Sequence, residues 1–152
     1  MTDVFKGIVA GGVATAAISG LMLIKSAAGI LPQLSLIHLL LALLEAPKEQ
    51  ALGWILHVAF GSVILGSLFA RIEPRLRADT HTKDGILFGV ILWLVMMLVF
   101  MPAAHGGYFG FQLTHLAPIA MLVLHVVYGA VLGWTYGKLS PTNDPLAKRH
   151  AA

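Results

Sequence analysis

Two apolar segments of this chain share one pattern: Leu56–Val63 reads LHVAFGSV, and Leu124–Val131 reads LHVVYGAV. Each copy contains a histidine followed by a glycine one helical turn later, within a long apolar run. An ionisable side chain inside the hydrocarbon of a membrane is costly and marks a candidate functional site. The pattern therefore predicts two related halves, each with one histidine in the bilayer.

The composition indicates an integral membrane protein. Of 152 residues, 58% are hydrophobic and 11% are charged, whereas soluble domains are about one quarter charged. The length suits a single domain. The chain has no cysteine, which excludes disulfides, thiolate metal sites and thiol nucleophiles. The net charge of +3 is not arranged as a basic stripe, so we expect no nucleic-acid partner.

Four apolar segments reach the length of about 20 residues that a membrane-spanning helix needs. The predicted helices cover about residues 7–31, 51–70, 85–104 and 116–137. A shorter apolar run at about residues 33–45 predicts a re-entrant or interfacial helix on the outer side. The predicted fold is all-α, a four-helix membrane bundle made of two parallel two-helix repeats in one domain over the whole chain.

The distribution of basic residues predicts the orientation. The loop between the second and third predicted helices carries four of them: Arg71, Arg75, Arg77 and Lys83. The segment 102–118 has no lysine, arginine or carboxylate. Because loops rich in lysine and arginine stay in the cytoplasm, we expect this middle loop, the N-terminus and a tail at 139–152 to be cytoplasmic.

The two histidines are the candidate site. His57 with Gly61, and His125 with Gly129, each share a helix face, and glycines allow neighbouring helices to approach closely. Both histidines lie about 20 Å from the predicted cytoplasmic boundary at 1.5 Å per residue. Two imidazoles at one depth can ligate the iron of a b-type haem. In that hypothesis Gly61 and Gly129 make room for the macrocycle, and four aromatic residues line it: Trp54, Phe60, Trp93 and Tyr128.

Two other hypotheses remain for the same site. His57 and His125 could ligate a metal ion, with soft ligands for Cu(I) from four methionines: Met96, Met97, Met101 and Met121. Alternatively, each histidine donates to a backbone carbonyl or to a serine on the next helix and binds nothing. No cofactor is certain from the sequence.

The remaining residues offer little chemistry. His38, His105 and His115 are expected at the membrane interface, and His81 and His150 in solvent. The predicted spans contain no carboxylate, which argues against a proton-coupled pump. No phosphate-binding loop or hydrolase motif occurs, and we expect that the protein is not an enzyme.

Several short motifs carry a resemblance to a known family. They are Lys6-Gly7, Ala14-Thr15, Ser19, Leu21-Met22, Trp54, His57, Gly61, Met96-Met97, Met101-Pro102, His125 and Tyr128–Gly133. Over about residues 6–138 the chain resembles a family of small bacterial four-helix inner-membrane proteins of unknown function. The resemblance implies a place in the bacterial inner (cytoplasmic) membrane, and it implies no activity.

Three functions follow as hypotheses. The first is a non-catalytic accessory or binding subunit that packs against a larger membrane complex or against itself. The second is a b-type haem electron-transfer subunit with His57 and His125 as axial ligands. The third is a transporter of a metal or small solute.

Overall fold

The protein is all-helical over the described residues, which in this computed structural model are 2–45, 48–76 and 78–140. Five helices follow in chain order: α1 (Asp3–Ala27), α2 (Leu36–Leu43), α3 (Gln50–Arg75), α4 (His81–Ala103) and α5 (Ala117–Leu139). All except α2 are long and apolar enough to cross a membrane. These helices confirm the predicted all-α fold with four candidate membrane spans.

Local capping sets the limits of α1, which begins and ends earlier than residues 7–31. The hydroxyl of Thr2 accepts from the amide of Phe5 at 3.3 Å and caps the first turn, as threonine does at helix starts. After Ala27 the chain turns through Gly29, whose φ of +65° suits a residue without a side chain. The Lys25 ammonium donates to two carbonyls of this turn at 2.9 and 3.0 Å.

All four long helices run alternately between the same two ends of the bundle. Gly7 near the start of α1 faces Gly66 near the end of α3, and Gly85 near the start of α4 faces Gly133 near the end of α5. We call the end where α1 begins and α5 finishes the terminal end, and the opposite end the α2 end. Arg77 and residues 141–152, which include most of the predicted tail, lie outside the described residues.

Close glycine contacts join the long helices in two pairs, α1 with α3 and α4 with α5. A Cβ atom on Gly7 would overlap the carbonyl oxygen of Gly66, and one on Gly85 would overlap that of Gly129. Glycine at these positions therefore lets the backbones touch, as in other membrane bundles. α1 also packs on α5, which holds the two pairs together.

The terminal end is closed by aromatic and charged side chains. Phe69 is fully buried, with ring centroids 5.4 Å from both Phe88 and Tyr136. The Nδ1 atom of His81 lies 2.5 Å from Oε1 of Glu73, and these side chains are only 11% and 5% exposed. The expectation that His81 is solvated is wrong, because α4 begins at this residue and turns the ring towards α3. α3 and α4 therefore meet at this end.

The short helix α2 lies over α3 at the opposite end. Its first turn is capped by the hydroxyl of Ser35, which accepts from the amide of His38 at 3.3 Å. Ile37 and Leu41 pack against Gly53 of α3, where a Cβ atom would overlap both side chains. The segment predicted at residues 33–45 thus contains a helix that is folded onto the bundle.

Two long helices contain a π-helical segment, at Phe60–Leu65 in α3 and at Met96–Phe100 in α4. A π turn holds one more residue than an α turn and is frequent at functional sites. α4 contacts α3 at Glu73–Arg75, near the terminal end. Residues of both π segments line a space between α3 and α4.

Candidate functional site

An apolar cleft of about 130 Å³ lies between α3 and α4, with α2 across it. Its apolar walls come from all five helices and include Ile18 of α1, Leu36, Leu39, Leu40 and Leu43 of α2, Phe60 and Leu65 of α3, Leu92, Met96 and Phe100 of α4, and Met121 and Leu124 of α5. Both candidate histidines, His57 and His125, line the same cleft. The structure thus brings together two side chains that the sequence separates widely.

His57 is held by its neighbours on α1 and α3. Its Nε2 atom lies 3.2 Å from Oγ of Ser19 on α1, and the imidazole is buried. The ring of Trp54, one turn earlier on α3, meets the imidazole edge-on with centroids 5.9 Å apart. These contacts fix the ring at the wall of the cleft next to α1.

His125 is held by its own helix. Its Nδ1 atom lies 2.7 Å from the backbone carbonyl oxygen of Met121, one turn earlier in α5. Because a carbonyl oxygen only accepts, Nδ1 must donate this hydrogen bond. His57 is thus hydrogen-bonded to a serine and His125 to a backbone carbonyl. These are the two kinds of bond expected under the hypothesis that the histidines bind no ligand.

The two hydroxyl groups in the cleft lining both donate hydrogen bonds to backbone carbonyls. Thr15 donates to the carbonyl of Gly11 at 2.7 Å, and Tyr128 donates to the carbonyl of Gly61 at 2.7 Å. The Tyr128 bond crosses from α5 to α3 within the π segment. With their hydroxyl hydrogens used in this way, the imidazoles are the groups best able to meet a ligand.

The two glycines of the candidate site have different positions. Gly61 lines the cleft, and a Cβ atom there would overlap the hydroxyl of Thr15. Gly129 faces α4 instead, in backbone contact with Gly85. One glycine therefore borders the cleft, while the other serves the packing of α4 on α5.

The aromatic residues and methionines of the sequence hypotheses also separate. Phe60 and Tyr128 line the cleft, whereas the indole N–H of Trp93 donates to the carbonyl of Pro118 at 2.9 Å. Met96 and Met121 line the cleft with the histidines. The other two methionines of the set, Met97 and Met101, are fully buried in an apolar cluster near the α2 end.

The size and donors of the cleft limit what it can hold. Within residues 2–45, 48–76 and 78–140, no three histidine, cysteine or carboxylate side chains come together as a metal site. The volume of about 130 Å³ is below the roughly 300–1,000 Å³ of pockets for drug-sized molecules. A haem would therefore require the helices to move apart.

Sequence reasoning missed Thr15 and Ser19 as members of the site. With Gly11, these residues are spaced four apart on α1, so they share one helix face. A glycine and two hydroxyls on one face of an otherwise apolar helix were the available signal. The leucines of α2 carried no such signal, because their spacing is typical of any amphipathic helix.

The described residues form a small helical protein with four candidate membrane spans and an apolar cleft between α3 and α4. Residues 1–147 match the model of a family of unknown function, DUF6789, and the chain belongs to this family. This confirms the resemblance to a family without an assigned function. Comparisons with curated proteins and with solved structures find no match.

Proposed function

We propose that this protein is a small, non-catalytic binding protein of the membrane, whose cleft holds an apolar molecule. The observation that carries the proposal is the position of both imidazoles, His57 and His125, in one apolar cleft. In this proposal the cleft opens between α3 and α4, to the lipid that surrounds the four helices. A ligand can therefore enter sideways without leaving the hydrocarbon.

The polar groups of the cleft support binding rather than catalysis. Its hydroxyls donate to backbone carbonyls, and the His57 imidazole is bonded to Ser19. Among the described residues, its lining contains imidazoles, hydroxyls and thioethers but no carboxylate. A nucleophile oriented by a base and a third group, as catalytic triads require, is not formed by this set.

In this proposal the protein acts as an accessory subunit that packs against a larger membrane complex or against a second copy of itself. The exposure of α4 supports a partner of this kind. Only 22% of the most apolar part of α4 is buried within the chain, compared with 39% for α1. Most of the α4 surface is therefore available to lipid or to a partner helix.

Blocking the cleft tests the binding proposal. Leu92 of α4 lines the cleft, whereas Leu94 of the same helix is exposed. We expect native mass spectrometry of the wild-type protein and of Leu94→Trp, purified in mild detergent, to detect a bound apolar molecule. Leu92→Trp should lose this molecule, because the indole fills the space. Equal occupancy in both tryptophan variants, or an empty wild-type protein, would contradict the proposal.

The position of the two imidazoles also supports a second candidate, a b-type haem held by His57 and His125 for electron transfer. Bis-histidine ligation leaves no open position on the iron. An absorbance spectrum of the same preparation separates the candidates. A low-spin haem band lost in both His57→Ala and His125→Ala supports haem, whereas a colourless protein from haem-replete cells rejects it.

We place the protein in the bacterial cytoplasmic membrane with its terminal end in the cytoplasm. Arg71, Arg75 and Lys83 support this orientation, because they are exposed near that end and basic loops are retained inside. We expect a membrane-impermeant maleimide applied outside to label Tyr108→Cys and to spare Thr80→Cys until the membrane is opened. If only Thr80→Cys were labelled from outside, the opposite orientation would be correct.

A further inference from the structure

The volume of the cleft specifies the size of the group that it can hold. A buried apolar cavity of about 150 Å³ takes up one benzene molecule, and this cleft measures about 130 Å³. The matching group is a single six-membered ring. With the cleft open between α3 and α4, as the proposed function has it, a chain attached to such a ring can continue into the surrounding lipid.

The hydrogen bond of His125 determines which polar group the ring should carry. Nδ1 donates to the carbonyl of Met121 at 2.7 Å, so in the uncharged imidazole Nε2 has a lone pair and no proton. No described residue donates to this Nε2. The cleft wall at His125 therefore offers a hydrogen-bond acceptor, and its complement is a hydroxyl donor on the ligand.

The part of the cleft lining at His57 is less selective between hydrogen-bond donors and acceptors on a ligand. His57 shares a hydrogen bond with the hydroxyl of Ser19 at 3.2 Å, and a serine hydroxyl both donates and accepts. The pair can therefore meet either a hydroxyl or a carbonyl on the far side of a ring. Tyr128 and Thr15 add little choice, because both donate to backbone carbonyls.

From this volume and this acceptor we infer that the cleft binds a hydroxylated single-ring lipid of the alkylphenol or quinol class. The ring lies among Phe60, Leu92 and Met96, its hydroxyl donates to Nε2 of His125, and its tail leaves between α3 and α4. The inference rests on the proposed function, because it names the ligand class for the same cleft. It needs no chemical step, only binding.

A matched pair of ligands tests the hydroxyl. 4-Decylphenol and 4-decylanisole have the same ring and tail, but the methyl ether has no proton to donate. In equilibrium binding to the protein in nanodiscs, with empty nanodiscs subtracted, we expect the phenol to bind about five- to tenfold more tightly, the effect of one net hydrogen bond. In His125→Phe the two affinities should become equal. His115→Phe, which changes a histidine outside the cleft, should keep the preference.

The outcomes separate this inference from the proposed function. Equal affinity of phenol and ether for the wild-type protein overturns the hydroxyl inference but leaves an apolar binding cleft. Failure of both ligands to bind overturns the single-ring inference, whereas the proposed function fails only if native mass spectrometry finds the wild-type cleft empty. A preference that survives in folded His125→Phe removes His125 as the acceptor. The wild-type comparison decides the inference even if that variant does not fold.

Discussion

The helix pairs α1–α3 and α4–α5 have similar glycine patterns but use them differently. In α4–α5 the contact is between backbones, since a Cβ atom on Gly129 would overlap the carbonyl oxygen of Gly85. In α1–α3 a Cβ atom on the matching glycine, Gly61, would overlap the side chain of Thr15, while backbone contacts lie at Gly11 and Gly66. Similar sequence context thus specifies small residues without specifying which of them makes the closest contact.

This difference explains why the two histidines are held differently. Next to His57, the α1–α3 pair leaves room for side chains, and Ser19 of the neighbouring helix reaches the imidazole. Next to His125, the backbone of α5 lies against Gly89 of α4, so the ring bonds to a carbonyl of its own helix. At its histidine, the α1–α3 pair supplies a side-chain partner, and the α4–α5 pair supplies only backbone.

The largest loss of stability should come from adding a side chain where the backbones of α4 and α5 touch. We expect Gly129→Ala to lower the free energy of unfolding by about 3 kcal/mol, the upper part of the usual range for overpacking, and Gly129→Leu to give no folded protein. Gly20→Ala is the matched control, because a Cβ atom at Gly20 has nothing within 4 Å. Thermal unfolding in detergent measures both, and unchanged stability of Gly129→Ala would show that α4 and α5 do not touch there.

A smaller loss of stability, which a second substitution should restore, is expected at Gly61. Gly61→Ala should cost about 2 kcal/mol, because its Cβ atom would overlap the Thr15 side chain. Adding Thr15→Ala removes the overlapping atoms and should restore most of the stability. A double-mutant cycle measures this coupling. Strictly additive effects of the two substitutions would contradict the side-chain contact, and no side-chain change should restore Gly129→Ala.

The smallest effect concerns the bonds of the imidazoles. Ser19→Ala removes the partner of His57 and should cost about 0.6 kcal/mol, the average for a hydrogen bond between membrane helices. We expect the imidazole nitrogen resonances of His57 to shift in this variant while those of His125 remain. The carbonyl of Met121 belongs to the backbone, so His125 should be insensitive. Shifts of equal size at both rings would show that the sites are coupled.

The sequence was sufficient to predict the long helices, because these depend on local properties. Apolar runs of spanning length need no knowledge of the rest of the chain. The cleft was not predictable in the same way, because it depends on where α3 and α4 separate. The burial of His81 against Glu73 also depends on a contact between two helix ends, which a charge-rich loop sequence does not reveal.

The π segment in α3 acts as a change of helical phase. Nine residues separate His57 from Gly66, which at 100° per residue would put them about 180° apart on a regular α-helix. The extra residue in Phe60–Leu65 reduces this angle to about 80°. One helix can therefore bring both His57 and Gly66 to α1, where they meet Ser19 and Gly7. A helical wheel drawn with a constant angle would misplace every residue beyond Leu65 by about 100° relative to His57.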